Sequence, residues 1–248
     1  MFGLRKKAWH NPAPGLVWMQ GEEILSDAHT LIAGATGCGK STAIHALIWT
    51  ALKRTPEQTR FLFIDMKRGV EMNRYRNLPH TIGFAETDKE AMTALNTTIA
   101  IMQKRIDDMK AAGQTLYNGA DLYVVIDELA FLLFSGGQEA LRKLTLISQQ
   151  GRAARVHLIL ATQNPSRAGI PASIHQNMTC RLGLRCLNAI ESRQIIGVAG
   201  CETLPRYGEG LLLKGIEMRH LCIPKISDED INARISYWSN PKNYTFYK

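Results

Sequence analysis

The sequence predicts an α/β fold with a mostly parallel central sheet and helices on both faces. Three observations lead to this prediction: short apolar strand segments recur along the chain, long helical patterns separate them, and a glycine-rich loop joins one strand to one helix. Strands that are apolar on both sides are typical of a sheet covered on both faces, and parallel strands need long connections. The alternation of strands and helices therefore favours a parallel sheet.

The strand segments share a continuous apolar character over a few residues each. They lie at residues 29–33, 61–65, 122–126 and 156–162, with shorter candidates at 181–185 and 210–213. Helices are predicted at residues 42–49, at about 89–112 and at about 138–155. The long second helix has an apolar face, formed by Ala94, Leu95, Ile99, Met102 and Ile106.

The composition suits one large domain, since 45% of the 248 residues are hydrophobic. No apolar run approaches the ~18 residues of a membrane span, and no apolar segment of a signal peptide follows the basic residues near Met1. We therefore expect a cytoplasmic protein with no transmembrane segment of its own, which a membrane or replication protein could recruit. The cysteines contain no C-x-x-C pair, so reduced thiols are favoured over zinc ligands or disulfides.

The net charge of the chain is +8. A basic balance of this kind favours a polyanionic partner such as a nucleic acid. A solvated basic surface without a partner would give the same charge, and on charge alone both interpretations stay open.

The glycine-rich loop after the first strand segment fits G-x-x-x-x-G-K-[ST] at every fixed position. Its residues are Gly34, Ala35, Thr36, Gly37, Cys38, Gly39, Lys40 and Ser41, with Thr42 next. Such a loop curls its backbone N–H groups around phosphate oxygens, and the helix that follows adds the positive end of its dipole. Lys40 is expected to reach the β- and γ-phosphates of ATP, and Ser41 to bind Mg²⁺.

Two carboxylates, Asp127 and Glu128, end a second apolar strand segment. At the carboxyl end of a central strand they would face the phosphates, with Asp127 on Mg²⁺ and Glu128 as the base that activates water. Gln163 ends the next strand segment and would sense the γ-phosphate if that strand lies between the other two. The alternatives are a strand that ends in a polar turn and an amide on a surface loop.

Five segments occur together in a fixed order. They are LIAGATGCGKS at 31–41, FIDMK at 63–67, VIDE at 125–128, GRAARVHLILATQNPS at 151–166 and IESR at 190–193. This order closely resembles the motor domain of the FtsK/SpoIIIE DNA translocases, over roughly residues 29–213. The stretch 151–166 is the most specific part, because a generic nucleotide-binding fold does not require it.

The resemblance implies a RecA-like P-loop NTPase core that forms a hexameric ring around double-stranded DNA and moves it by hydrolysing ATP, without reading its sequence. It implies a division into a lead-in at 1–28, the motor domain at 29–224, and a short helix and tail at 225–248. Its nucleotide residues match Lys40, Ser41, Asp127, Glu128 and Gln163.

The family's arginine that acts on a neighbouring subunit's ATP matches either Arg105 or Arg152, and Arg105 is slightly preferred. Either arginine could instead be a charge on a helix surface. Arg155 stands where the family pattern has a glycine.

The resemblance also implies a pore segment that touches DNA phosphates. Arg193 matches a basic contact of this segment, which also contains Asn188 and Ser192. Ala189 stands where relatives have a second basic residue, and Arg185 could compensate for it.

Two rival functions stay open. One is a protein-secretion ATPase of the type VII kind, which resembles the same superfamily but usually strings several such domains together. The other is an adaptor that uses ATP only as a switch, which would have no need of a base such as Glu128. The compact length, without a membrane anchor or a winged-helix domain, would fit a translocase of a plasmid, an integrative element or a virus, acting in DNA transfer, segregation or packaging.

Overall fold

The computed structural model describes residues 17–26, 29–67 and 69–244. Within these ranges the strands are β1 (Val17–Trp18), β2 (His29–Ala33), β3 (Thr59–Ile64), β4 (Thr81–Ala85), β5 (Asp121–Ile126), β6 (Val156–Thr162), β7 (Cys180–Gly183), β8 (Glu209–Lys214) and β9 (Glu217–Cys222). The α-helices are α1 (Gly21–Leu25), α2 (Lys40–Ala51), α3 (Asp88–Ala111), α4 (Leu129–Gln150), α5 (Ala172–His175), α6 (Ala189–Ile196) and α7 (Asp228–Ser239).

The described strands form one sheet in the order β1-β9-β8-β7-β2-β6-β5-β3-β4. Neighbouring strands run parallel except at β7–β8 and β8–β9, which are antiparallel. The predicted fold class is confirmed, because the sheet is mostly parallel and its central strands are buried along their whole length.

Each face of the sheet carries its own apolar core. Side chains that alternate along β5 illustrate the division, since Val124 and Ile126 belong to one core and Tyr123 and Val125 to the other. Helices α3, α4 and α6 pack into the first core, and α2 and α7 into the second. The predicted apolar face of the long helix lies in the first core, with Leu95 and Met102 fully buried.

The predicted helix at 138–155 is corrected by the structure. Helix α4 begins at Leu129 and ends at Gln150, and its backbone breaks at Gly137, where φ is +54°. It ends early because the chain must turn before β6, and this turn passes through Arg155 with φ at +52°. Strands β4 and β9 were not predicted, because both are partly exposed and lack a continuous apolar run.

The two ends of the described chain pack against the central part of the fold. Strand β1 of the lead-in pairs with β9. Helix α7, which lies in the segment 225–248, begins after Ser227, whose side chain accepts a hydrogen bond from the backbone N–H of Asp230. The indole N–H of Trp238 on α7 donates to the carbonyl oxygen of Leu52, which fixes α7 against the end of α2. Residues 1–16 and 245–248 lie outside the described residues.

Two further properties bear on function. Within the described ranges, no helix is long and apolar enough to cross a bilayer. The cysteines are free thiols, and the same ranges hold no cluster of three or more His, Cys, Asp or Glu side chains suited to a metal ion.

Candidate nucleotide site

The sheet order brings the predicted site residues to one edge. Strand β6 lies between β2, which leads into the glycine-rich loop, and β5, which leads into Asp127 and Glu128. All three strands are parallel, so their carboxyl ends meet at the same edge. The condition set for Gln163, that its strand lie between the other two, is therefore met.

The glycine-rich loop needs glycine at two positions for different reasons. Gly39 has a φ of +102° and immediately precedes α2, a backbone conformation that other residues adopt at a cost. At Gly34 a Cβ atom would lie only 2.9 Å from the backbone oxygen of Arg185. Gly34 therefore allows the loop to pack closely against the segment that follows β7.

Lys40 is folded back over the loop. Its ammonium donates hydrogen bonds to the carbonyl oxygens of Gly34 at 2.8 Å and Ala35 at 2.7 Å. Burial lowers the pKa of this ammonium below its ordinary value. A partly desolvated cation held by backbone carbonyls can turn towards an anionic ligand, so its position fits the predicted phosphate contact.

Glu128 is held in place by the neighbouring strand. Its carboxylate accepts a hydrogen bond from the hydroxyl of Thr162 at 2.9 Å and from the backbone N–H of Gln163 at 3.1 Å. These contacts fix the carboxylate between β5 and β6 at the edge where the loop lies. Fixed orientation is what a general base needs, so the geometry fits the predicted role.

Asp127 is 3% exposed, and among the described residues only its Oδ1 has a hydrogen-bond donor. The backbone N–H of Met66 donates to Oδ1 at 2.8 Å, while Oδ2 lies 3.5 Å from the ammonium of Lys67. Burial, and then the charge of Asp65, raises the pKa of Asp127 to about 6. A buried carboxylate oxygen without a hydrogen-bond donor fits a Mg²⁺ site, because oxygen ligands are those that Mg²⁺ prefers.

Gln163 reaches the glycine-rich loop directly. Its side-chain oxygen accepts a hydrogen bond from the hydroxyl of Thr36 at 2.6 Å, across 127 positions of sequence. The same residue donates its backbone N–H to Glu128. Gln163 therefore links the loop to the carboxylate, which is the position that the predicted sensor requires.

A cavity of about 760 Å³ lies over the loop. Its lining is Thr36, Gly37, Cys38, Gly39, Lys40, Ser41, Thr42, Lys67, Glu71, Gln163, Tyr207, Gly208, Ile223 and Lys225. This volume lies within the range of small-molecule sites, about 300–1,000 Å³. Sequence analysis missed Tyr207, Ile223 and Lys225, because they belong to segments around β8 and β9 whose antiparallel pairing has no local signature.

The two candidate arginines differ in their surroundings. The guanidinium of Arg105 donates to the carbonyl oxygens of Ala154 and Arg155 and lies 4.6 Å from the ring centre of Tyr117. Arg152 is exposed, and its side chain makes no hydrogen bond or ion pair with the described residues. The guanidinium of Arg105 is therefore engaged within its own chain, whereas that of Arg152 faces solvent.

The residues predicted to contact DNA lie on and before α6. Arg193 is exposed and forms no ion pair with the described residues, whereas Arg185 donates to the carbonyl oxygen of Leu204. Asn188 caps α6 by accepting from the backbone N–H groups of Ile190 and Glu191.

The prediction that Ser192 belongs to the DNA-contacting surface is wrong. Ser192 is 0% exposed, its hydroxyl donates to the carbonyl oxygen of Val198, and it accepts from the backbone N–H of Cys201. A fully buried side chain with both hydrogen-bonding capacities used has no surface for DNA. Its role is to fasten α6 to the segment that follows it.

Comparison with known proteins agrees with this geometry. The model of the FtsK/SpoIIIE family matches residues 15–121. The DNA translocase FtsK of Oceanobacillus iheyensis is 32% identical over 272 residues, covering 97% of this chain and 35% of the relative. The chain thus spans about a third of the length of this curated relative.

Solved structures share the fold. The pCW3 conjugation coupling protein TcpA, in a monomer form with ATPγS, superposes with a TM-score of 0.76 at 21% identity, covering 86% of this chain and 65% of TcpA. The cytoplasmic domain of the Thermomonospora curvata type VII secretion ATPase EccC superposes with a TM-score of 0.72 at 24% identity. The match covers 85% of this chain and 28% of the EccC chain. With the family match, the translocase relatives and the site geometry in agreement, the chain belongs to the FtsK/SpoIIIE family.

Proposed function

We propose that this chain is the motor domain of an ATP-dependent translocase that moves double-stranded DNA. The observation that carries the proposal is the sheet order, which brings Lys40, Asp127, Glu128 and Gln163 to the carboxyl ends of neighbouring parallel strands. Lys40 and Gln163 also line the cavity over the loop. A binding loop alone would suit a switch, but a fixed carboxylate beside it suits hydrolysis. The relatives named DNA translocases support DNA as the substrate that is moved.

Each residue has a chemical part in hydrolysis. Glu128 accepts the proton of the water that attacks the γ-phosphorus, and its bonds to Thr162 and Gln163 hold the carboxylate in place. Lys40 and the loop N–H groups stabilise the phosphate charge. Ser41 and Asp127 would hold a Mg²⁺ ion, which would supply further positive charge at the phosphates. Gln163 reports the state of the γ-phosphate to the loop through Thr36.

Neighbouring subunits would complete the site. Arg152 is the better candidate for an arginine that reaches the ATP of a neighbour, because its guanidinium is exposed and makes no ion pair with the described residues. A ring, with six subunits as in the family, would place one such arginine at each interface. A cytoplasmic location is part of this proposal.

The path from ATP to DNA runs through the segment after β7. The backbone N–H of Ala35 in the loop donates to the carbonyl oxygen of Arg185 at 2.8 Å, and α6 begins a few residues later at Ala189. A shift of the loop would therefore move the end of α6 that carries Arg193. The net charge of +8 supports a grip on phosphates rather than on bases.

The proposal is tested by steady-state phosphate release with and without duplex DNA. We expect turnover that depends on Mg²⁺ and rises when DNA is added, and a loss of about 10²–10⁴-fold in Glu128→Gln, which retains ATP binding. Arg193→Ala should keep the basal turnover and lose much of the stimulation. The log–log slope of its DNA binding against salt should fall by about one for each phosphate that the arginine no longer neutralises.

Other outcomes would point to the rival functions. Stimulation by secreted polypeptides but not by DNA would favour a secretion ATPase. Saturable ATP binding with no measurable turnover, with or without DNA, would favour a nucleotide-controlled adaptor. Normal turnover in Glu128→Gln would remove that residue from the mechanism.

A further inference from the structure

The topology places a second wall beside the glycine-rich loop. Ala33, the last residue of β2, lies opposite Gly183 of β7, and Gly183 lies opposite Leu211 of β8. Strand β8 runs antiparallel to β7, so the residues before Leu211 extend past the same edge that the loop leaves after Ala33. Tyr207 and Gly208 therefore stand beside the loop, on the side away from Gln163.

The end of β9 completes this wall. Cys222, the last residue of β9, pairs with Glu209, the first residue of β8. The next residue, Ile223, donates its backbone N–H to the carbonyl oxygen of Gly208 at 2.8 Å. This bond fixes the position of Ile223 beside Tyr207, and both residues line the cavity over the loop.

Tyr207 is an aromatic side chain that is largely exposed, so packing in the apolar core does not explain its presence. It is 60% exposed, although it lines the cavity. The guanidinium of Arg206 lies 5.1 Å from its ring centre, and among the described residues no aromatic ring packs on it. Nη2 of Arg206 lies 3.6 Å from the position that a Cβ would take at Gly37, so Arg206 also rests against the loop.

The two ends of the cavity differ in chemistry. Lys67 and Gln163 supply charge and hydrogen bonds on the β6 side of the loop, whereas Tyr207 and Ile223 supply planar and apolar surface on the β8–β9 side, where Lys225 also lines the cavity. A nucleoside triphosphate has the same asymmetry, with a charged chain at one end and a flat heterocycle at the other. Aromatic side chains bind bases by stacking because every base has a π-face.

We propose that Tyr207 is the stacking platform for the nucleobase, with Ile223 packing beside it and Arg206 positioning the ring. This inference rests on the proposed function, because it names the second half of the same nucleotide site. It assigns to the segments around β8 and β9 the recognition of the base, and leaves the phosphates to the loop. Because of the stacking contact, a nucleotide that has a base should bind more tightly than its phosphates alone, whereas the phosphate contacts are the same with and without a base.

The experiment compares the binding of ADP and of inorganic pyrophosphate, both with Mg²⁺, by titration calorimetry on the whole chain. In Tyr207→Ala we expect ADP to bind about five- to a hundred-fold more weakly, the range measured for aromatic stacking on a base, with pyrophosphate unchanged. Tyr207→Phe keeps the ring and should bind both ligands as the wild type does. Tyr207→Leu keeps apolar bulk without a π-face and should show the same loss for ADP only.

Melting temperatures of the variants identify any general loss of structure. Unchanged ADP affinity in Tyr207→Ala and Tyr207→Leu would overturn the inference and leave the proposed function standing. Equal losses for ADP and pyrophosphate would also overturn it, since they would mean damage to the loop. A wild type that binds neither ligand would overturn the proposed function and the inference together.

Discussion

Two buried aspartates lie at opposite ends of strand β5 and have opposite surroundings. Asp121 begins the strand, where Arg54, Arg155 and His157 all donate to its carboxylate. Asp127 follows the end of the strand, and its Oδ2 has no hydrogen-bond donor in the part of the chain that the structure describes, where the ammonium of Lys67 lies 3.5 Å away. The two side chains are almost equally buried, at 4% and 3% exposed, so burial alone does not explain the contrast.

The pKa values of the two carboxyls move in opposite directions. Burial raises the pKa of Asp121, but the hydrogen bonds and charges of His157 and Arg155 outweigh it and hold the pKa well below its usual range. Burial and the charge of Asp65 raise the pKa of Asp127 to about 6. A carboxylate that the fold satisfies completely holds the structure together, whereas one left unsatisfied is available for a ligand.

The largest expected effect is on turnover, in Asp127→Asn. The amide keeps the hydrogen bond from Met66 but loses the charge that we assign to Mg²⁺, so phosphate release should fall by about 10²–10³-fold. The melting temperature should stay the same or rise, because a desolvated charge beside Asp65 is removed. Turnover near that of the wild type, in a variant that melts normally, would contradict the functional assignment of Asp127.

The second effect concerns the arginines near the start of β6, at the edge opposite the nucleotide site. Arg152→Ala should reduce hydrolysis strongly without weakening ATP binding or stability, because its side chain is exposed. Arg105→Ala should instead lower the melting temperature, since it loses two bonds to backbone carbonyls.

Mixing tests whether Arg152 acts on a neighbour. Inactive Arg152→Ala mixed with inactive Glu128→Gln should recover part of the activity, because some interfaces then combine an intact arginine with an intact base. If the two variants co-assemble and no ratio restores turnover, Arg152 does not act across an interface.

The third effect is on stability, in Asp121→Asn. The loss of the carboxylate charge leaves two guanidinium groups around a neutral amide, and we expect unfolding by urea to become easier by about 2–3 kcal/mol. This is less than for a fully buried pair, because Arg54 and Arg155 are 41% and 35% exposed. Turnover per folded molecule should not change.

A surface ion pair provides the control for Asp121. Asp108 pairs with Lys104 on the exposed face of α3, and Asp108→Asn should leave unfolding nearly unchanged. Equal destabilisation by the two substitutions would mean that the ion pairs around Asp121 contribute no more to the free energy of unfolding than a surface ion pair does.

The surroundings of Asp127, at the carboxyl end of β5, could be predicted from the sequence far better than those of Asp121, at its amino end. The loop from Gly34 to Ser41 and the pair after β5 are local patterns, and the chemistry of phosphates restricts which residues can occupy them. Asp121 is recognised only through partners from distant segments, Arg54 and His157 among them. For the same reason, Tyr207 and Ile223 could not be assigned to the cavity before the antiparallel pairing of β8 and β9 was known.

The fourth prediction concerns acid stability at the same edge as Asp121. His29 begins β2, and its Nδ1 accepts the backbone N–H of Leu158 at 3.0 Å. Burial, and then the charge of His157, lowers the pKa of His29 to about 3. The unfolded chain therefore binds a proton first, and stability that is complete above pH 6.5 is lost as the pH falls towards 3. The slope is at most about 1.4 kcal/mol per pH unit for this group.

His29→Asn separates this contribution from others. The amide oxygen of asparagine can accept the same hydrogen bond but does not titrate, so the fall in unfolding free energy between about pH 6.5 and pH 4.5 should become shallower. His80 should still destabilise the variant in acid, because burial lowers its pKa to about 4. An equally steep fall in wild type and variant would show that His29 does not contribute.

The smallest expected effect tests why an arginine stands at position 155, where the resemblance to the family expects glycine. Arg155 has a φ of +52°, the region that glycine adopts most easily, and its guanidinium donates to both oxygens of Asp121. Arg155→Ala loses the ion pair and keeps the strained backbone, whereas Arg155→Gly loses the ion pair and relieves the strain. We expect the glycine variant to be more stable than the alanine variant by about 0.5–1 kcal/mol, measured by urea unfolding. At Arg152, outside this backbone region, the order should be the reverse. An alanine variant more stable than the glycine variant at position 155 would mean that backbone strain has no part in the stability of this turn, and that the ion pair to Asp121 alone accounts for the arginine.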